Sequence, residues 1–549
     1  MSDNFINAEF VIEEEDLDKN IRIINSFEQY AKEKNFKIES RDQSVNEKEI
    51  KDNCKISIND VEVPFSYFHK FNEKGKFKIR YSFSQNLKKI NYIFSGCEQL
   101  RNIDFSHFNT KNVSDMSYML DDCCLLENIN LANFNTENVT NMSYMFHRCL
   151  NLKNLDLSNF KTGNVLDMNH MFCDCCSVED LDVSHFDTKN VTDMSYMFAK
   201  CKGLTKIDIS KFNTENVSNM SGMFRGVNLA NINMPNLKTD KVTNMSFLFS
   251  ECNYLESVDL SALNTVNVND MSFMFFKDRI IKDINFGEIK TQKVQTLRGM
   301  FSHCRNLEKV DLSKFNTENV TNMYEMFSYC NSLKNLDLSN FNTKNVEFLH
   351  FMFLDCNSLT ELNISNFDTS KTKDVNKMFS GCKSLKKLDV SNFNTQNVNN
   401  MSCMFQSCSS LEKIDVSKFN TQKVISMNSM FQNCSSLTEI NVSNFNTANV
   451  INLSFMFENC KALNTIDLSN FNTEKVVNMS NMFKGCTSLT KVDLSNFNTE
   501  KVTNIRCMFH ECKSLTIIDM PHLNTKNAKD KDFMFDGCNS LLDRSITTK

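Results

Sequence analysis

The hydrophobic and polar positions of this chain recur with a period of 26 residues from about residue 90 onward. Each copy carries one anchor position, the first at Cys97 and the last at Cys538. Sixteen of the eighteen anchors are cysteine, Val227 and Asp278 being the exceptions, and a one-residue deletion precedes Cys252. A fixed period of this length predicts a repeat protein in which each copy is one supersecondary unit.

Two hydrophobic periods follow each other within a copy. From Leu489 the spacing L-x-x-V-x-L-x-x-F, which alternates with period 2 at its centre, predicts a short strand. After Thr499 the apolar residues stand at offsets 3, 6, 9, 10 and 13, a stripe of roughly 120° at 3.6 residues per turn. We therefore predict a strand and then a helix of about three turns in each copy.

One threonine separates the two halves in all seventeen copies, from Thr110 to Thr525. Threonine tolerates strand conformation, and its oxygen can accept a hydrogen bond from the first free N–H groups of a helix. We interpret this column as helix N-caps. An array of phosphorylation sites is the alternative, and it is less favoured because capping already explains the regularity.

A single strand-helix unit cannot bury its own apolar face, so the copies must stack. We predict an α/β fold: a curved, leucine-rich-repeat-like solenoid with a parallel sheet on its concave side and short helices outside. Residues 89–549 form this solenoid of about seventeen copies, which ends in a C-terminal cap. Residues 1–88 do not fit the repeat and are predicted to form a small β-rich domain that caps the first copy.

The N-terminal region shows strand-like alternation over residues 77–83 and a hairpin over 55–63 that turns at Asn59-Asp60. Residues 64–71 are rich in aromatic residues and are interpreted as a core strand, whereas the charged segment 33–52 is interpreted as a loop. Two readings stay open between residues 17 and 31, namely an amphipathic helix or a strand at 21–23.

Net charge is −6, and the repeats contain no run of five like charges, so neither nucleic acid nor an anionic membrane is expected as a partner. No stretch reaches eighteen apolar residues, and the N-terminal sequence MSDNFINAEF has no basic and apolar leader pattern. We expect a cytoplasmic monomer that is not inserted in a membrane; the cell surface is the alternative location.

The chain contains 22 cysteines. The repeated one lies on the predicted helix stripe, and neighbouring helices stand about 8 to 10 Å apart, beyond the reach of a disulfide. We expect reduced, space-filling thiols that bind little or no zinc. The densest thiol group is Cys149, Cys173, Cys175 and Cys176, and no second pair has the spacing of zinc ligands. Recurrent Asn-Val-Thr and Asn-Met-Ser sequons also favour a compartment without N-glycosylation.

The recurring segments LSNFNT, NVTNMS and MF-x-x-C, over about residues 90 to 540, resemble those of the BspA-like leucine-rich-repeat proteins, in the variant known from mycoplasma lipoproteins and protists. The resemblance implies the solenoid fold. Family members resemble surface proteins or adhesins in bacteria, but this sequence lacks the signal peptide, lipobox and anchor of that group.

Catalytic motifs such as G-x-x-x-x-G-K-S/T, H-E-x-x-H and G-x-S-x-G do not occur. We therefore predict a non-enzymatic scaffold, without catalytic residues, cofactors or metal ions, that binds a protein partner. One alternative is a surface adhesin exported without a recognisable signal. Another is an enzyme whose chemistry lies within residues 1–88.

The candidate partner-binding surface is the concave face of the sheet. In each strand the second apolar residue lies between two outward residues. The one before it varies from copy to copy, and the one after it is Asp or, in some copies, Asn. The predicted site residues are Asp208, Lys309, Asp311, Lys387, Asp389, Lys413, Asp415, Lys491 and Asp493. The repeat is least regular at 225–300, where either simple drift or a bend and partner site would explain the loss of pattern.

Overall fold

A computed structural model describes residues 4–38, 44–234, 237–524, 526–541 and 546–547. Its contacts divide the chain into two units, residues 1–268 with 285–287 and residues 269–284 with 288–549. The division falls inside the irregular segment 225–300. The boundary that we predict at residue 88 is not one of the division points, and it stays a prediction.

The regular elements are short. They are, in chain order, β1 Phe5–Ile12, a 3-10 turn Glu14–Asp16, β2 Ile21–Arg22, α1 Phe27–Glu33, α2 Glu47–Asn53, β3 Cys54–Ile58, β4 Val61–Val63, β5 Phe68–His69, β6 Gly75–Phe83, β7 Leu100–Asp104, β8 Asn128–Asn130, β9 Ser257–Asp259, β10 Asp283–Asn285, β11 Asn335–Asp337, β12 Glu361–Asn363, β13 Lys413–Ile414, β14 Glu439–Ile440, β15 Lys491–Asp493, β16 Ile517–Asp519 and β17 Ile546–Thr547.

The N-terminal residues of the first unit build a mixed sheet with strand order β4-β3-β6-β1-β7-β8. Strand β1 pairs antiparallel with both β6 and β7, and β7 pairs parallel with β8. The first repeat strands thus continue the N-terminal sheet, which leaves no open edge at β7. The predicted hairpin is confirmed: β3 and β4 pair antiparallel, and Asn59 and Asp60 have φ of 48° and 66°, as a type I′ turn requires.

Both readings of residues 17–31 are partly right, because the short strand β2 precedes helix α1. The helix begins after Ser26, whose hydroxyl accepts a hydrogen bond from the Gln29 N–H at 3.1 Å. The loop predicted over 33–52 is wrong at its end, where α2 forms. The carboxylate of Glu28 accepts the N–H of Glu47 at 2.9 Å, so a residue 19 positions away satisfies the start of α2.

The strand predicted in each copy forms in ten copies, as β7 to β16, whereas residues 154–156, 180–182 and 387–389 are among the equivalent positions where no strand forms. Strands β11 and β12 pair parallel with Leu336 opposite Leu362, a register of one repeat, and in β11 and β15 a buried central residue lies between two exposed ones. Buried leucine, valine and phenylalanine side chains from both halves of the copies form the core in each unit. The predicted leucine-rich-repeat-like solenoid is therefore confirmed.

The second half of each copy is not helical, which corrects our prediction. It is a run of β-turns in which N–H groups alternate between two kinds of acceptor. One set donates to carbonyls of the next copy, as in Met323 to Phe348 at 3.0 Å and Phe327 to Met352 at 2.9 Å. The other set closes turns within the copy, as in Cys330 to Phe327 at 3.1 Å. An α-helix would use these donors internally and leave none for the neighbouring copy.

A second parallel ladder runs through these turns. Single bridges join equivalent residues of successive copies, from Lys89 to Asn244 in the first unit and from Asp270 to Asp530 in the second. Neighbouring copies are therefore separated by a β-ladder distance of about 4.8 Å and not by a helix-helix distance. The turns require left-handed residues, which include Glu325 at φ 48° and Tyr329 at φ 59°.

The threonine column does not cap helices, which corrects a further prediction. The hydroxyl of Thr317 donates to the carbonyl of Asn342 at 3.0 Å and accepts the N–H of the same residue at 2.8 Å. The local turn is stabilised instead by the preceding residue, Asn316, whose side chain accepts the N–H of Glu318 at 2.9 Å. The threonine therefore joins successive copies, except that Thr525 lies outside the described residues.

The anchor cysteines are buried, as expected, except for the half-buried Cys538, but the helix spacing that we used against disulfides does not apply to stacked turns. From Cys123 onward the anchor thiols instead donate a hydrogen bond to a carbonyl of the preceding copy; the Sγ of Cys356 lies 3.1 Å from the oxygen of Phe327. Beside this column, phenylalanine rings of successive copies stack within the second unit, where Phe353 stacks on Phe327 and Phe379 with centroids 5.7 and 5.6 Å apart.

Candidate partner-binding face

The strand face, defined here as the exposed side of the short repeat strands and of the equivalent positions in copies without a strand, carries two columns of polar residues. In β15 the outward Lys491 and Asp493 flank the buried Val492. The first column holds the residue that varies between copies, and the second holds Asp or Asn. Both columns repeat at the ladder spacing of about 4.8 Å.

The Asp column has a structural role. The carboxylate of Asp415 accepts the backbone N–H of Ser417 at 2.9 Å, and the hydroxyl and N–H of that serine lower the pKa of Asp415. Asp311, Asp389 and Asp493 make the same contact with the serine two residues later. Such an Asx turn ends each strand, so the need for a turn explains this column without a ligand.

Several residues of the variable column pair with the neighbouring copy. Lys413 pairs with Glu439 at 2.6 Å, and Lys206 pairs with Asp180 at 3.4 Å. Lys387 and Lys491 form no ion pair with another described residue. Because the repeat fold requires no particular residue here, this column is the part of the face whose chemistry is free to differ.

All nine predicted residues are exposed on the strand face. Lys413 lies in β13 and Lys491 and Asp493 lie in β15, whereas the other six hold the equivalent positions outside the strands. Asp208 belongs to the first unit and the other eight to the second. Lys387 with Asp389 and Lys413 with Asp415 lie in successive copies, whereas the pairs at 309–311 and 491–493 stand three copies to either side of them. The prediction that these residues bind a partner stays untested.

Two shallow depressions mark this face in the second unit. The first is lined by Asn335, Leu336, Asp337, Thr360, Glu361, Lys386 and Lys387. The second is lined by Lys413, Asp415, Glu439, Asn441, Thr465 and Asp467. Charged side chains of the strand face surround both depressions, and such a surface is suited to polar recognition.

The turn half of the first unit contains two features that our sequence analysis missed. One is a ladder of stacked rings with centroids 4.2 to 4.7 Å apart, formed by Tyr92, Tyr118, Tyr144, His170 and Tyr196. The other is a cluster of His147, Cys173 and Asp174. Both features join residues 26 positions apart, so a comparison of equivalent positions in successive copies could have found them.

Among the described residues, no helix is long and apolar enough to cross a membrane. This is the finding that bears on our expectation that the chain is not inserted in one.

Comparison with known proteins gives a family but no activity. The family described as "Mycoplasma protein of unknown function, DUF285" matches residues 35–130, 88–207, 124–231, 200–282, 276–388, 356–465 and 437–548. No curated protein matches the chain. No catalytic family is indicated.

Several solved structures resemble the chain at low identity. A leucine-rich repeat protein from Bacteroides ovatus is 14% identical over 88% of this chain and 89% of that one, with a TM-score of 0.27. A leucine-rich repeat protein from Eubacterium ventriosum is 16% identical over 68% of this chain and 86% of that one, with a TM-score of 0.34. A chain of the Drosophila Toll–Spatzle complex is 15% identical over 75% of this chain and 56% of that one, with a TM-score of 0.23.

Proposed function

The chain belongs to the DUF285 family of Mycoplasma proteins of unknown function, and we propose that it is a non-enzymatic scaffold whose strand face binds a protein partner. Membership in the family confirms the resemblance to BspA-like repeat proteins. The observation that carries the proposal is the variable column. It is exposed, it repeats across successive copies, and stacking of the copies does not dictate its residues.

The charges of the face favour a protein over a nucleic acid. The variable column carries both signs of charge among neutral residues, as in Lys413 beside Glu439, and the Asp column adds negative charge next to them. A phosphate backbone would meet repulsion on such a surface. A protein surface can offer both signs of charge in a complementary arrangement.

The test is a charge reversal on the strand face. In the triple variant Lys387→Glu, Lys413→Glu and Lys491→Glu, we expect loss of partner capture from extracts of the source cells, with thermal unfolding nearly unchanged because exposed charges contribute little to folding. Proteins retained by the immobilised wild-type chain would be identified by mass spectrometry and scored against the variant.

The matched control reverses the same number of charges at another surface of the same unit, called here its edge, which consists of the positions two residues after the threonine column. Lys371, Lys423 and Lys475 are exposed, and each donates to an asparagine oxygen of the preceding copy at 2.6 to 2.7 Å. Their replacement by Glu changes net charge equally, and we expect it to leave capture intact. If the edge variant lost the partner and the strand-face variant kept it, the proposed surface would be wrong.

The proposal includes a reducing, intracellular location and a monomeric state. Support for the location comes from the anchor thiols, which donate S–H hydrogen bonds that a disulfide would remove. Cell fractionation with an antibody against the intact chain tests the location, and light scattering after size exclusion tests the monomer. Recovery of the chain on the outer cell surface would favour the adhesin alternative.

A further inference from the structure

The cluster on the turn half of the first unit brings together three side chains of different chemistry. One ligand atom each from His147, Cys173 and Asp174 lies within 4.8 Å of the other two. Cys173 is 6% exposed, and the other two are half-buried. The anchor thiols donate to backbone carbonyls, but Cys173 is not an anchor and makes no such bond with a described residue; its Sγ lies 3.9 Å from an Asp174 oxygen.

A fourth residue fixes the histidine. The Nδ1 atom of His147 lies 2.6 Å from a carboxylate oxygen of Asp121, and the hydroxyl of Ser95 lies 3.3 Å from the other oxygen of that carboxylate. A carboxylate on one ring nitrogen sets the tautomer and leaves Nε2 as the nitrogen with an available lone pair. The edge of the Tyr144 ring packs against the same imidazole, with centroids 5.2 Å apart.

We propose that His147, Cys173 and Asp174 form a binding site for one Zn²⁺ ion, with Asp121 as the positioning residue for the histidine. A thiolate, an imidazole and a carboxylate are the three ligand types that zinc takes in proteins, at about 2.0 to 2.3 Å. A calcium or magnesium site would need oxygen ligands throughout. Three protein ligands leave the fourth tetrahedral position to water or to a group from a partner.

The repeat produces this arrangement without any local motif. Asp121, His147 and Cys173 occupy the same position in three successive copies, so the β-ladder brings them to a spacing of about 4.8 Å. In the second unit the same column holds Gln406, Gln432 and Glu458, which hydrogen-bond to one another along the ladder. In the part of the chain that the structure describes, no other group of three such residues comes as close together.

A cation already pairs with one ligand of the site. The ammonium of Lys200 lies 3.3 Å from an oxygen of Asp174, and it competes with a metal ion for that carboxylate. Replacement of Lys200 by Met keeps most of the apolar stem and removes the competing charge. We therefore expect Lys200→Met to bind zinc more tightly than the wild-type chain.

The experiment uses the full-length chain, stripped of metal and kept reduced. Zn²⁺ is titrated in competition with a chromogenic chelator, and Co²⁺ replaces it for absorption spectroscopy. We expect one high-affinity equivalent and a thiolate-to-cobalt charge-transfer band in the near ultraviolet. Cys173→Ser should abolish the band, and Asp121→Asn should weaken affinity by about 10- to 100-fold while keeping the band.

The matched control is Cys176→Ser, which removes a half-buried thiol three residues away, outside the cluster. It should leave both stoichiometry and spectrum unchanged. Circular dichroism of every variant verifies folding; should Cys173→Ser misfold, Asp174→Asn carries the test through loss of affinity. A wild-type chain that binds no stoichiometric zinc, or binding that survives both Cys173→Ser and His147→Ala, overturns the proposal.

Discussion

The threonine column offers a sharp test of how the copies are joined. Thr317 is 1% exposed, and its hydroxyl exchanges two hydrogen bonds with the backbone of Asn342 in the next copy. Replacement by valine keeps the shape and the β-branch but removes both bonds. If the hydroxyl capped its own copy instead, the same change would loosen residues that follow position 317 directly.

The expected cost follows from the number of bonds. A neutral hydrogen bond contributes about 0.5 to 1.5 kcal/mol net, so the loss of two should destabilise the second unit by about 1 to 3 kcal/mol. Thr317→Ser keeps the hydroxyl and deletes one methyl group, at about 1 kcal/mol. Thr395 donates to Asn420 and makes no second hydroxyl bond with a described residue, so Thr395→Val should cost about half as much as Thr317→Val.

Hydrogen exchange with mass spectrometry locates the effect. We expect Thr317→Val to lower protection at the amide of Asn342 and its neighbours, with copies several repeats away unaffected, because each copy contacts only its neighbours. Equal destabilisation by the serine and valine variants would show that the methyl group matters and the bridge does not. Loss of protection confined to residues 318–330 would restore the capping interpretation.

Two further predictions concern the thiols and the histidines of the second unit. Burial raises the pKa of Cys356 to about 12, so at pH 8 iodoacetamide should label the half-buried Cys507 in the folded chain well before it labels the anchor thiols. Complete labelling of all 22 cysteines should require denaturation, and disulfide-linked peptides between anchors would contradict this. Burial also lowers the pKa of His350; the charge of Asp374 raises this pKa and that of Arg298 lowers it. As the pH falls, the imidazole is therefore protonated in the unfolded chain before it is protonated in the folded one. Stability should therefore fall as the pH drops below about 6.5, and His350→Asn, measured by denaturant unfolding between pH 7 and 5, should lose less stability than the wild-type chain.

The strand half of the repeat could be predicted because its signal is local. Alternation around residues such as Val492 reports which side chains face the core, and stacking then follows from the 26-residue period. The hairpin at Asn59-Asp60 was also readable, since both residues tolerate the left-handed conformation that its turn requires.

The turn half could not be assigned from hydrophobic spacing alone. Inward positions separated by three or four residues suit both a helix and a run of β-turns, and Met323, Met326, Phe327 and Cys330 are buried in the latter. What decides between them is where the backbone N–H groups find acceptors, and here half of the acceptors lie in the next copy. The abundance of Asn, Ser, Thr and Val in NVTNMS, all modest helix formers, was the available sign against a helix.

The same distinction explains what was missed at the proposed zinc site. Zinc motifs are usually sought as pairs of ligands a few residues apart in one segment, and the pairs that Cys173 forms at such a spacing, with His170 and Cys176, are not those of the proposed site. In a stacked repeat the relevant distance is one period, which brings residues 26 positions apart to about 4.8 Å. Each column of the repeat is therefore a line of potential ligands, and a site arises when consecutive copies place suitable residues in a column and beside it. The threonine column and sixteen of the eighteen anchor positions are kept by stacking, so we expect new chemistry in this fold where residues differ from copy to copy.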